Sequence, residues 1–225
     1  MSRRRVAALI SGRGSNMAAL LAAAEDPDYP ATIALVLSNR ADAAGLAHAA
    51  ARGVPTAVVE SRAFPRDRAG FEAAMEAEFA RHGIETIALA GFMRLLTEGF
   101  VARWEGRLVN IHPSLLPAFP GLDTHARALA AGVLLHGCTV HLVSAGVDEG
   151  PIIAQAAVPV LPDDTEAVLA ARVLAEEHRI YPAALAWLAA GRVSLAGGRA
   201  VVAGVAPAAG ALANPLPSVP ALPKR

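Results

Sequence analysis

The sequence predicts an α/β protein, a Rossmann-like, mostly parallel twisted sheet with helices on both faces and antiparallel strands in its C-terminal half. Short apolar runs alternate with alanine-rich helical stretches through the first half, the pattern of repeated strand–helix units. The later apolar runs follow one another without an intervening helix, which leaves antiparallel pairing to join them. With 225 residues, 54% of them hydrophobic, the chain can bury one sizeable core.

Strands are expected at residues 6–10, 33–38, 56–59, 86–90, 108–111, 138–143 and 152–159. Helices are expected at 17–24, 43–52, 66–82, 97–102, 125–131 and 165–190. The first run, Val6-Ala7-Ala8-Leu9-Ile10, follows the basic cluster Arg3-Arg4-Arg5 and so mimics a secretory leader. It is short and breaks into Ser11-Gly12-Arg13-Gly14, so it reads as a strand. Gly53-Val54-Pro55 and Gly83-Ile84 stop the helices before them and lead into strands. The strand at 108–111 must end at Pro113, because proline offers no ladder donor and restricts the residue before it. Asp163-Asp164-Thr165-Glu166 supplies caps and an early acidic side chain to the long last helix. From Ser194 onward the chain is mostly alanine, glycine and proline, so the expected organisation is one domain over residues 1–193 and a flexible tail over 194–225.

Charge and cysteine content exclude several classes of function. Lys and Arg number 20 and Asp and Glu 20, so no global field favours nucleic acid or an anionic membrane. No apolar run is long enough to span a bilayer. The single cysteine, Cys138, allows no intramolecular disulfide and fits a reducing cytoplasm.

Four segments carry candidate chemistry. Ser11-Gly12-Arg13-Gly14-Ser15-Asn16 lies between the first strand and the first helix, where glycines admit an anion to free helix N–H groups. Met17 occupies the place of the third glycine of a dinucleotide fingerprint, and Asn39-Arg40 stand where that fingerprint wants an acid. A single phosphate monoester therefore fits better than a dinucleotide; an ordinary glycine turn with a capping side chain is the alternative. Asn110 and His112 sit at the C-terminal lip of a strand, where open α/β sheets bind ligands, and alternation points them the same way. An amide beside an imidazole suits a carbonyl and its oxyanion. Asp148, in the turn-rich Val147-Asp148-Glu149-Gly150-Pro151, is either a turn residue bonding its own backbone or the group that orients and charges His112. Gly91-Phe92-Met93-Arg94-Leu95-Leu96 follows the fourth strand and offers exposed backbone with an apolar slot, or simply a loop packed on the core. His112, His125, His136 and His141 follow no zinc spacing, so no metal is expected.

Together these pieces resemble the glycinamide ribonucleotide transformylases, folate-dependent formyltransferases of purine synthesis. The resemblance runs over residues 6–192. It rests on Ile10-Ser11-Gly12-x-Gly14-Ser15-Asn16, Ser38-Asn39-Arg40, Gly91-Phe92-Met93-Arg94, the stretch 110–117, Pro120-Gly121-x-x-Thr124-His125, Asp148-x-Gly150-Pro151 and Glu177-His178-x-x-Tyr181-Pro182. It implies a nucleotide-binding N-terminal half and a folate-binding, catalytic C-terminal half. By this resemblance Gly14, Ser15 and Asn16 hold the phosphate of phosphoribosylglycinamide and Glu177 accepts from its ribose hydroxyls. Met93, Arg94, Leu95 and Leu96 frame the pterin of 10-formyltetrahydrofolate, the co-substrate, with Asn110 beside it. Arg68 matches an arginine near the folate, although the segment around Arg66 carries a one-residue shift. Asn110, His112 and Asp148 form the catalytic trio, and Asp123 stands where relatives often carry a basic or histidine side chain. The expected partners are the two small molecules, with no nucleic acid or membrane, acting on a monomer or weak homodimer. The nearest alternative is a 10-formyltetrahydrofolate hydrolase, which normally carries a preceding regulatory domain, whereas here the first strand begins at once. Methionyl-tRNA formyltransferases share the Asn-x-His element but usually add an RNA-binding domain, and the tail here has no positive charge between Arg199 and Lys224. In a nucleotide-sensing module without catalysis, the trio would be dispensable.

Overall fold

The alternation of the first half becomes five strand–helix units: β1 (Arg4–Ile10) with α1 (Ser15–Ala24), β2 (Ala31–Ser38) with α2 (Ala44–Ala50), β3 (Thr56–Val58) with α3 (Arg68–Arg81), β4 (Thr86–Leu89) with α4 (Glu98–Arg103), and β5 (Leu108–His112) with α5 (Thr124–Ala130). β6 (Leu135–Leu142), β7 (Ile152–Pro159), α6 (Glu166–Ala189), β8 (Val193–Ala196) and β9 (Arg199–Val202) complete this computed structural model, which describes residues 3–206 and residue 214. β1 to β7 form one sheet in the order β3-β2-β1-β4-β5-β6-β7. The first five strands pair in parallel, and β6 and β7 run antiparallel.

Alternation along β1 divides the core. Val6, Ala8 and Ile10 face α1 and α6, packing with Met17, Leu20, Val173 and Tyr181. Ala7 and Leu9 face α3 and α4, packing with Phe71, Met75, Phe79, Phe100 and Trp104. Both faces of the strand are therefore buried, which is why it reads as an unbroken apolar run. α6 is fastened to the sheet by a polar bond as well. Buried Tyr181 donates its hydroxyl to the Leu89 carbonyl at 2.8 Å and lies 3.3 Å from that of Val109, bridging the end of β4 and the start of β5. Pro182 interrupts the helix ladder, and its carbonyl accepts from the Tyr29 hydroxyl at 2.7 Å.

Two expectations are corrected. α3 begins at Arg68 instead of residue 66, because Arg66 adopts φ 68° and Asp67 caps the helix by accepting from the Gly70 N–H at 2.8 Å. The expected boundary at 194 falls inside a hairpin. β8 and β9 pair from Val193↔Val202 to Ala196↔Arg199 across Gly197-Gly198, both at positive φ. A two-residue loop of this kind matches the twist of its flanking strands. Val193 and Val202 pack on the α6 side of the core. Of the rest of the expected tail, residues 203–206 and Asn214 are described, and the others lie outside the described residues.

The turn into α6 is held by Asp164, which accepts from Arg172 at 2.6 and 2.8 Å and from the Leu161 N–H at 2.8 Å. The Arg172 guanidinium, with that N–H, holds the carboxyl down at about 2. A folded-state pKa below the ordinary 3.8 means that the stabilisation is full above the unfolded value and is lost as pH falls through the folded one. Asp164→Asn is therefore expected to be less stable than the parent at neutral pH, with the gap closing between about pH 4 and pH 2; denaturant titrations at several pH values check this. Tyr181→Phe removes one buried donor, worth ~1–1.5 kcal/mol. At this chain length that lowers the midpoint of thermal unfolding by about 2–6 °C in calorimetry.

Candidate active site

The sheet sets three loops side by side. Leu9 pairs with Leu89, and Leu89 with Asn110, so β1, β4 and β5 end in one row. The order reverses at β1, which has β2 on one side and β4 on the other. Such a switch point opens a crevice at the carboxyl edge of the strands.

The loop after β1 forms the first wall. Gly14 takes φ 71° as the N-cap of α1, without a side-chain cap, so the N–H groups of the first turn remain free for an anion. The loop rests on α2, where the Gly45 N–H donates to the Gly12 carbonyl at 3.1 Å. A Cβ on Gly45 would stand 2.5 Å from Ile10 Cδ1 and 3.2 Å from the Gly12 and Arg13 carbonyl oxygens. Gly45 is thus a requirement of this wall that has no motif to announce it. Asn16 donates to buried Glu177 at 2.7 Å, joining residues 161 apart in sequence. Burial raises the Glu177 carboxyl, and the Asn16 bond opposes the shift. The other polar atom of Asn16, Oδ1, is buried without a hydrogen-bond partner.

The segment after β4 forms the second wall. Met93 and Leu95 are 66% and 60% exposed, Arg94 is exposed and Leu96 half-buried. Its backbone is tied to the first wall, because the Met93 N–H donates to Ser11 Oγ at 2.7 Å and the Ser11 hydroxyl donates to Asn39 Oδ1 at 2.6 Å. Arg68 stands exposed at the start of α3, and among the described residues no hydrogen bond or ion pair joins it to the rest of the site.

β5 and β6 build the floor. Their antiparallel register sets Asn110 opposite His141 and His112 opposite Thr139. His141 Nδ1 lies 3.0 Å from the Leu142 carbonyl, and its Nε2 faces Asn110 Nδ2 at 3.2 Å. One Asn110 N–H faces His141, and the other is free to point into the crevice. His112 Nδ1 is 3.3 Å from Asp148 Oδ2, and its Nε2 is 3.0 Å from the Phe119 carbonyl. The two ring nitrogens of His112 thus each lie near an oxygen, one on either side of the ring. Asp148 also accepts from the Gly121 N–H at 2.9 Å, and its other oxygen is 3.7 Å from His141 Nε2. Burial pushes the Asp148 carboxyl up, but His141, the Gly121 N–H and His112 outweigh it and hold it below the ordinary value. The structure therefore brings Asn110, His112 and Asp148 together, with His141 between Asn110 and Asp148.

His141 is absent from the sequence-based set. Its signal was its place two residues after Thr139 on one strand, which gains meaning only from the pairing with β5. His125 and His136 are a separate pair, 3.2 Å apart behind the Phe119 ring. Burial, helped by the neighbouring His125 and His112, pushes His136 down to about 4. Among the described residues no group of three or more His, Cys, Asp and Glu is arranged to hold a metal ion. No helix among them is long and apolar enough to cross a membrane.

Comparison with known proteins shows the same fold and a family. The family model described as formyl transferase matches residues 4–185. The human trifunctional purine biosynthetic protein adenosine-3 is 47% identical over 191 residues, which cover 85% of this chain and 19% of that protein. The chain thus spans about a fifth of the length of that relative. Phosphoribosylglycinamide formyltransferase of Escherichia coli is 43% identical over 84% of this chain and 89% of its own. Glycinamide ribonucleotide transformylase 1 of Symbiobacterium toebii superposes with a TM-score of 0.86 at 47% identity, covering 89% of this chain and 94% of that one. A formyltetrahydrofolate deformylase of Pseudomonas syringae pv. tomato is more distant, at 25% identity and TM-score 0.81 over 89% of this chain and 66% of that one. The chain belongs to the formyl transferase family.

Proposed function

We propose that this chain transfers the formyl group of 10-formyltetrahydrofolate to the glycyl amine of 5'-phosphoribosylglycinamide, in de novo purine synthesis. The products are the formylated ribonucleotide and tetrahydrofolate. The observation that carries this reading is the meeting of an amide donor, an imidazole and a carboxylate at the end of β5, between a bare helix N-terminus and an exposed backbone segment.

In this reading the phosphate rests on Gly14, Ser15 and Asn16 at the start of α1, where free N–H groups and the helix dipole favour an anion. Glu177 accepts from the ribose hydroxyls, and Asn16 Oδ1 is a further buried acceptor beside it. The pterin lies along the main chain of Met93, Arg94, Leu95 and Leu96, with Asn110 at its reactive end and Arg68 reaching the folate from α3. The amine attacks the formyl carbon on N10, giving a tetrahedral intermediate with a negative oxygen. Asn110 donates its free N–H to that oxygen, a contribution of ~3–4 kcal/mol for one well-placed donor. His112 offers positive charge; for direct donation, its Nε2 must exchange the Phe119 carbonyl for the oxyanion. Asp148 holds His112 and accepts the proton lost by the attacking amine, directly or through water, an effect of roughly 10²–10⁴-fold. That proton ends on N10 as the C–N10 bond breaks. Alignment of both substrates in one crevice supplies much of the remainder. The chemistry needs neither a metal nor a covalent enzyme intermediate. The same reading has the chain act in the cytoplasm, as a monomer or weak homodimer, on these two small molecules.

A hydrolase would use the same trio with water in place of the amine. It would have no use for a phosphate wall, and the Asn16–Glu177 pair beside α1 favours the transferase.

Asp148→Asn keeps the shape of the site and removes the carboxylate. Turnover is expected to fall by at least about 10²-fold, while calorimetry still detects ribonucleotide binding. Near-normal turnover would contradict the role of Asp148.

A further inference from the structure

α3 grips the segment after β4 at two successive residues. Phe71 stacks on Phe92, with ring centroids 6.4 Å apart and planes 9° from parallel. Glu72, the next residue, is 1% exposed. One of its carboxyl oxygens accepts from the Thr97 N–H at 2.6 Å and the other from the Thr97 hydroxyl at 2.5 Å. That hydroxyl also accepts from the Phe100 N–H at 3.2 Å, so the same contact starts α4. A buried carboxyl group is costly unless its oxygens find donors, and here one residue at the end of the segment supplies both.

We infer that Glu72 is a positioning residue for the folate co-substrate. It fixes the far end of residues 93–96, while Ser11 fixes the near end through the Met93 N–H. Between these two anchors the segment has no helix or strand of its own. The main-chain groups that meet the pterin therefore take their place from two buried side chains that touch neither substrate. Arg68 lies four residues before Glu72 on α3, which puts both on one helix face. α3 would thus set the slot and present the arginine beside it. This inference rests on the assignment of the folate to residues 93–96. A role confined to stability would lower the unfolding midpoint without separating the Michaelis constants of the two substrates; a positioning role separates them.

The test uses the parent protein, Glu72→Gln, Thr97→Val, Thr97→Ser and the double variant Glu72→Gln/Thr97→Val. KM for a 10-formylfolate cofactor, KM for the ribonucleotide, kcat and the unfolding midpoint are measured for each. Glu72→Gln is expected to raise the folate KM about tenfold, the scale of one lost charge-assisted hydrogen bond, with the ribonucleotide KM unchanged. Thr97→Ser keeps the contact and stays near the parent, whereas Thr97→Val raises the folate KM. The effect of the double variant falls short of the product of the two single effects, because both remove the same bond. An unchanged folate KM in a folded Glu72→Gln, or an equal rise in both constants, would overturn the inference. If Glu72→Gln does not fold, the contrast between Thr97→Val and Thr97→Ser decides it. A parent that formylates no ribonucleotide defeats the folate assignment itself; an active parent with an indifferent Glu72→Gln defeats only this inference.

Discussion

The antiparallel return of β6 beside β5 is the constraint on which the site depends. Parallel strands need a crossover and leave only their carboxyl ends for function. Although α5 lies between them in sequence, β6 returns antiparallel and lays a second row of side chains against β5, and its register sets His141 opposite Asn110 and Thr139 opposite His112. Thr139 then serves as a buried junction. Its hydroxyl donates to the Ser114 carbonyl at 2.6 Å and accepts from the Leu116 N–H and from Gln155 Nε2, each at 3.0 Å. The proline-rich turn that follows His112 is thereby pinned to the sheet. A slip of β6 by one residue would turn its row over and dismantle the site together with part of the core.

The loop from β6 to β7 completes what the register begins. Asp148 adopts φ 56°, a conformation that costs energy for most residues and that aspartate tolerates better. Contacts on several sides hold it there: the Gly121 N–H, His112 and His141. Gly150, two residues later, lies so close to β6 that a Cβ would meet the Leu142 carbonyl oxygen at 1.7 Å. The path of the chain and the charge of the site are thus set by the same few atoms. Local strain persists where its surroundings over-determine it, and such places are usual at sites of chemistry.

What the sequence made legible was local. The end of β5 followed from Pro113, the bare N-terminus of α1 from its glycines, and the helices on both sheet faces from the alternation of strand and helix. The antiparallel pairing of β6 with β7 followed from the missing helix between them; that of β6 with β5 did not, because α5 intervenes. The unread parts depend on residues far apart in the chain. His141 is an ordinary strand histidine until β5 lies beside it, Gly45 an ordinary helix glycine until the Gly12–Gly14 turn rests on it. Glu72 looks like one more solvated helix carboxylate until α3 docks and buries it against Thr97. The β8–β9 hairpin was hidden for another reason: its valines sit among alanine and glycine, whose abundance masked the Gly197-Gly198 turn.

In the proposed reaction two substrates meet over one catalytic floor, so the decisive measurement is whether the second is required. Purified protein is mixed with a 10-formylfolate cofactor, and the deformylated pterin is followed spectrophotometrically with and without phosphoribosylglycinamide. The signal is expected to depend on the ribonucleotide and to match the formylated product mole for mole. Equal signal in its absence would make water the acceptor and contradict the transfer; no signal in either case would contradict catalysis at this site.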